Sequence, residues 1–278
     1  MTRVGIVGMV VFAASAAHAE PTPQQRAKTL IDLQAKAIDD RDEATLYATF
    51  TKDAVILVPD PRPMTRGDQI DAIRRTNPHE SLNSAKVKKR VAGGDANAVW
   101  LDAELAIDLA GTEPGFGSHR EVKLLRVTEL LTADAGWKVV AAAFSEPGPV
   151  EDAQGTPEPI GNVWDKPTEL AQLLASPVKL DAALGKDASV AVFGTSKGEI
   201  AYGGTAAHAL VKSWSKLELA LSGTPREGHG KGWGFALGFV DWTRKRGDKV
   251  PGRMSALVIA QPTGGAWTVV AVHYTTGH

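Results

Sequence analysis

Apolar residues enter the chain after Thr22 with a helical period. Ala27, Leu30, Ile31, Ala35 and Ile38 fall on one face, the spacing by which a helix buries a stripe against a core. Thr22-Pro23-Gln24-Gln25 supplies its start: a capping threonine, a proline where a missing N–H costs nothing, and a glutamine that closes a capping box. A second short helix is expected from Asp42, carrying Leu46 and Phe50. The period then drops to two. Residues 53–59 (DAVILVP) read as a strand stopped by Pro59-Asp60-Pro61, and Gly67-Asp68 opens a helix that ends near Asn77-Pro78. Longer strands are expected over 99–109, 121–131 and 137–144. In the first, Val99, Leu101, Ala103, Leu105 and Ile107 alternate with Trp100, Asp102, Glu104, Ala106 and Asp108, giving one apolar and one mixed face.

Residues 146–161 (EPGPVEDAQGTPEPIG) break every period and read as an extended, exposed connector. The same grammar then resumes. Leu170, Leu173 and Leu174 begin a helix that Pro177 must end or kink, a strand spans 187–193, and Gly203-Gly204 precedes a helix through Leu210. Strands follow over 217–221, 233–242, 253–260 and 267–274. Lys52-Asp53-Ala54 matches Lys186-Asp187-Ala188, Gly67 matches Gly203, Trp100 matches Trp233, and the run from Gly136-Trp137 matches Ala266-Trp267. These offsets of 134, 136, 133 and 130 stay in chain order, which points to a duplication. The expected plan is a leader over 1–19, one domain over 20–146, a linker over 147–163 and a divergent second domain over 164–278.

Composition narrows the chemistry. Hydrophobic residues make up 43% of the 278 and charged residues 23%, enough for two real cores. The formal net charge of −1 gives no polycationic field for nucleic acid. The first domain and connector are net acidic and the remainder net basic, a polarity that suits halves that dock. Arg3, the apolar stretch from Val4 to Ala17 and the triplet Ala17-His18-Ala19 read as an export signal cleaved before Glu20. That stretch is too short for a permanent span, so a soluble periplasmic or secreted protein is expected, without a membrane partner. The chain has no cysteine, which removes disulfides, thiol nucleophiles and thiolate metal sites.

The order helix, helix, strand, helix and antiparallel meander resembles the nuclear transport factor 2-like superfamily, closest to its SnoaL-like branch. Phe50-Thr51-Lys52-Asp53-Ala54-Val55, the Gly67 turn and the terminal strands 137–145 and 267–275 carry the likeness. The resemblance implies an α+β fold of two cones, each a curved antiparallel sheet wrapped around its N-terminal helices with a pocket at the open end. It also implies pairing through the outer sheet faces, either inside the chain as a pseudo-dimer or between copies. Such folds serve isomerases, dehydratases, cyclases and plain binding proteins alike, so the resemblance leaves function open.

Several side chains are candidates for chemistry. Asp102 and Glu104 share a strand face with Asp108, and paired carboxylates in a dry pocket divide into acid and base; a solvated strand face explains the same alternation. His273 in the last strand is suited to proton transfer, while the matching position in the first copy is Ala143; a packed histidine is the competing explanation. Trp233, Tyr202, Tyr274, Arg66 and Trp100 are candidate pocket residues, against core packing for the aromatics. His208, His229 and Asp241 lack ligand spacing, so no metal or cofactor is expected. The basic run Lys86 to Arg90 reads as a solvated sheet edge. Together these features favour an exported, non-catalytic protein binding a small apolar molecule or a protein partner. An isomerase-, dehydratase- or cyclase-type enzyme using His273 or the Asp102/Glu104 pair is one alternative, and a scaffold with filled cavities the other.

Overall fold

The computed structural model describes residues 20–57, 64–65, 80–113, 117–146, 168–244 and 252–276. The expected leader, Arg66, the helix after Gly67 and the connector over 147–163 lie outside those residues. Helix α1 (Pro23–Asp39) begins as its sequence dictates, since Thr22 and Gln25 form the reciprocal capping box. Helix α2 (Glu43–Ala48) is capped by Asp42. Strands β1 (Phe50–Leu57), β2 (Met64–Thr65), β3 (Glu80–Gly94), β4 (Ala98–Glu113), β5 (Gly117–Thr132) and β6 (Lys138–Ser145) complete the first half. Phe50 therefore opens a strand instead of closing a helix.

In the second half, Pro177 divides the expected helix into α3 (Glu169–Leu174) and α4 (Pro177–Ala183), serving as the first residue of the latter. Strands β7 (Ala191–Phe193) and β8 (Ile200–Tyr202) lead to α5 (Gly204–Ser213) and a single 3₁₀ turn. The meander β9 (Leu217–Gly230), β10 (Trp233–Arg244), β11 (Gly252–Thr263) and β12 (Ala266–Thr276) closes the chain. Strand β9 runs well past Leu221 and through Pro225, which an edge strand tolerates because it has one unpaired side.

The two sheets share one topology. Their strand orders are β2-β1-β6-β5-β4-β3 and β8-β7-β12-β11-β10-β9. Each is mixed rather than purely antiparallel, because β1 runs parallel to β6 and β7 parallel to β12. A register shift falls between Leu130 and Leu131 in one and between Ile259 and Ala260 in the other, the same place in the fold. Phe50 faces Val139 as Leu184 faces Val269, and Val55 faces Ala141 as Ala191 faces Ala271. The second copy thus spends two more residues between those points. One expected match needs correcting. Pairing through β5 and β11 makes Phe235 the counterpart of Trp100 and Leu237 that of Asp102, two residues from the Trp100–Trp233 match. An even slip leaves every side chain on its own face, so hydrophobic pattern alone could not detect it.

Each sheet buries its concave face against its own helices. In the first cone Ala27, Leu30, Ile31 and Ala35 of α1 pack on Leu101, Leu105, Val127 and Val139. In the second, Leu170 and Leu174 of α3, Leu180 of α4 and Val211 of α5 pack on Val240, Val258 and Val272. Trp214 and Tyr274 meet edge to face there at 5.0 Å, and the Tyr274 hydroxyl donates to the Leu174 carbonyl at 2.7 Å. The convex faces bury each other: Leu57, Trp100 and Leu130 form one cluster with Phe235, Leu257 and Ile259. Replacing Tyr274 by Phe leaves the buried Leu174 carbonyl without that donor. The expected loss is about 1–2 kcal/mol, measurable as a lower urea midpoint with an unchanged far-ultraviolet spectrum.

Candidate functional site

Where the convex faces meet, a thread of polar side chains crosses from one sheet to the other. Thr128 Oγ1 lies 2.6 Å from Asp102 Oδ1, His273 Nδ1 lies 2.9 Å from Thr128 Oγ1, and Ser145 Oγ lies 2.6 Å from His273 Nε2. One hydroxyl has one proton, so the thread runs one of two ways. With Thr128 donating to Asp102, Nδ1–H of His273 donates to Thr128 and Nε2 accepts from Ser145; with a protonated Asp102 donating to Thr128, both histidine bonds reverse. The histidine is therefore neutral, as burial demands: desolvation, with the nearby Arg126 charge, holds it down to about 3. Burial pushes the Asp102 carboxyl up to about 8 despite the Thr128 bond, and its Oδ2 has no partner among the described residues.

Beside this thread lies a charge clamp. Arg126 of β5 is buried, and its Nη1 donates to the carbonyls of Gly194, Ser196 and Glu199 while Nη2 donates to that of Lys197. A guanidinium from the first half thus fills the β7–β8 turn of the second. Glu199 shapes that turn by accepting from the Ser196 N–H and from Trp214 Nε1. Tyr202 donates to Glu104 Oε1 at 3.0 Å, with the Lys89 ammonium 3.8 Å over its ring. Trp100 Nε1 donates to the Ser189 carbonyl, and Gly93 has no room for a side chain between Trp100 and Ser189.

The first cone carries a different arrangement. Glu129, on the concave face of β5, accepts from Gln34 Nε2 at 2.8 Å, and Gln34 reaches Thr49 Oγ1 at 3.2 Å. Burial raises the Glu129 carboxyl to about 7, and its Oε2 has no partner among the described residues. Thr49 also lines a groove of about 380 Å³ between α1, α2 and the β5–β6 turn, walled by Leu30, Leu33, Leu131 and Trp137. Among the described residues no group of three or more His, Asp or Glu is placed to hold a metal.

No family model matches the chain, and no curated protein matches it in sequence. Solved structures do resemble it in part. An NTF2-like protein from Cytophaga hutchinsonii is 17% identical over 43% of this chain and 93% of its own, with a TM-score of 0.36. A ketosteroid isomerase-like protein from Erwinia carotovora atroseptica is 14% identical over 44% of this chain and 95% of its own, with a TM-score of 0.37. A candidate polyketide cyclase from Xanthomonas campestris pv. campestris is 15% identical over 44% and 91%, with a TM-score of 0.32. Each match spans about one cone's length. The two halves share one α+β topology with each other.

Within the two cones the residues singled out from sequence fall into three groups. His273, Asp102, Glu104, Tyr202, Trp100 and Trp233 all lie at the seam between the convex faces. The face bearing Asp102 is accordingly covered by the second sheet, not solvated. The sequence pattern showed a mixed face but held no sign of what would cover it. Tyr274 points the other way, into the second cone's core. Arg66 lies outside the described residues. Sequence reasoning passed over Arg126, Thr128, Ser145, Gln34 and Glu129; the one available signal was a Glu among the inward-facing positions of β5. His208 pairs with Asp181, not with His229 or Asp241.

The seam has a pH signature. Asp102 titrates near 3.8 when unfolded and near 8 when folded, so its contribution is whole below 3.8 and is lost as pH rises through 8. The Asp102→Asn variant keeps an acceptor for Thr128 and removes that titration. Urea unfolding from pH 4 to 8 should show wild type losing stability relative to the variant as pH rises. Parallel curves would place the proton elsewhere.

Proposed function

We propose that this is an exported, non-catalytic binding protein in which the first cone takes a small, largely apolar molecule and the second serves as its built-in partner. One observation carries the reading. The side chains suited to proton transfer are bonded to one another between the sheets, with Asp102 and His273 fully buried there, whereas the groove on the first cone is open and mainly apolar. The second cone's interior is occupied by Trp214, Trp242 and Tyr274. Clefts of roughly 300–1,000 Å³ are the usual size for small-molecule sites. Export rests on the Val4 to Ala17 stretch and Ala17-His18-Ala19. The neutral dye N-phenyl-1-naphthylamine should brighten on titration with the full chain, and Leu33→Asp should weaken it severalfold. A dye that stays dark with the wild-type chain sinks the proposal.

Glu129 favours a second reading, an enzyme of the isomerase or cyclase type. It is a buried carboxyl on the concave face, raised to about 7, the range in which a side chain both gives and takes protons near neutrality. Under this reading Glu129→Gln abolishes turnover of a ligand recovered from the first cone while leaving its affinity within about tenfold. Unchanged turnover excludes Glu129 as the acid or base.

A further inference from the structure

The groove has a chemical polarity that narrows its ligand. We propose that it holds an amphipathic anion, a carboxylate carried on an apolar chain, with the charged head in the corner formed by Arg26, Trp137 and Lys138. This deepens the ligand-binding reading and rests on it.

The corner is built by the β5–β6 turn. Trp137 follows Gly136 in the left-handed region, at φ 61°, a conformation that side-chain-bearing residues adopt rarely. That twist places its ring under the Arg26 guanidinium, 4.0 Å from the ring centroid, and leaves Lys138 next in sequence at the groove wall. Lys138 is exposed and makes no ion pair among the described residues. Arg26 is bonded at Nη2 by Glu20, whose side chain is 89% exposed and readily displaced.

Among the described residues no carboxylate lines the groove. Asp42 touches one lining residue, Thr45, but is fixed there as the cap of α2 by the Thr45 N–H and hydroxyl. Away from the corner the walls are Leu30, Leu33, Ala48 and Leu131. Leu33 stays 42% exposed, although it stands beside the buried stripe of α1, as a wall awaiting an apolar occupant does. Two cations at one end and leucines along the rest match a carboxylate with a hydrocarbon tail.

The second copy shows that this is particular to the first. There the hairpin continues through Pro262 opposite Trp267 and Thr263 opposite Ala266, closing on Gly264 and Gly265. Trp267 therefore stays in the strand and covers Gly234, and among the described residues no cation is stacked on it as Arg26 is on Trp137.

The test is calorimetric titration of the full chain at low salt with decanoate, decanol and decyltrimethylammonium, repeated with Lys138→Gln and Arg26→Gln. Decanoate should bind about tenfold more tightly than decanol, the scale of one charge-assisted hydrogen bond at a wet site, and decyltrimethylammonium should bind least. Lys138→Gln, at an exposed position, should lower decanoate affinity severalfold toward that of decanol, as should Arg26→Gln, and leave decanol unchanged. On adding decanoate, the Trp137 indole resonance should shift in the wild-type protein. Equal binding of decanoate and decanol, or a decanoate affinity indifferent to Lys138→Gln, overturns the anion assignment while apolar binding stands. Silence from all three together with a dark naphthylamine dye removes both.

Discussion

Burial of one convex sheet face against the other is the constraint on which the rest of the molecule depends. A curved sheet with helices on its concave side still exposes a second face. In the first half that face carries Leu57, Trp100, Leu130 and Ala141, and in the second Phe235, Leu257, Ile259 and Ala271. Neither is a surface that water tolerates over such an area. Joining two copies in one chain makes the encounter intramolecular, so its effective concentration is set by the connector and not by how much protein is present.

The polar groups within this seam fix its geometry. Apolar faces slide; an Arg126 guanidinium held by four carbonyls does not. The Ser145–His273–Thr128–Asp102 thread adds a second fixed point. Three of its four fold equivalents, Leu237 for Asp102, Leu257 for Thr128 and Ala143 for His273, are apolar, and only Thr275 for Ser145 is polar. The thread thus has no copy on the other side of the seam's pseudo-twofold axis. A domain facing a second copy of itself cannot form this thread, since the first face supplies Asp102, Thr128 and Ser145 but only the second supplies the histidine. Such asymmetry selects the internal partner, because any other pairing leaves the buried His273 imidazole and Arg126 guanidinium without these bonds.

The two cones differ in what fills them. The second packs Trp214, Trp242 and Tyr274 into its interior. The first keeps a groove, a turn with a left-handed Trp137, and a buried Glu129 tied to the groove through Gln34 and Thr49.

Much was legible in the chain itself. The Thr22-Pro23-Gln24-Gln25 cap, the alternation of β4 and the Pro177 break all act over a few residues, so the local sequence determined them, and the repeat across the connector is written in the order of such local signals. Lys86 to Arg90 were legible as a sheet edge, which β3 is, but the full extent of that strand was not, because its lysines mask the weak alternation of Ala85 and Val87. Nor was the two-residue slip between β4 and β10, which an alternating pattern cannot register. The partners of His273, Asp102 and Arg126 lie 68 to 145 residues away, or across the strand pairing within a half. No periodicity holds that information. Sequence decided which face of each strand was mixed in character; only the packing of one sheet on the other decided that this face would be buried, and so turned candidate catalytic groups into the fastening between two halves.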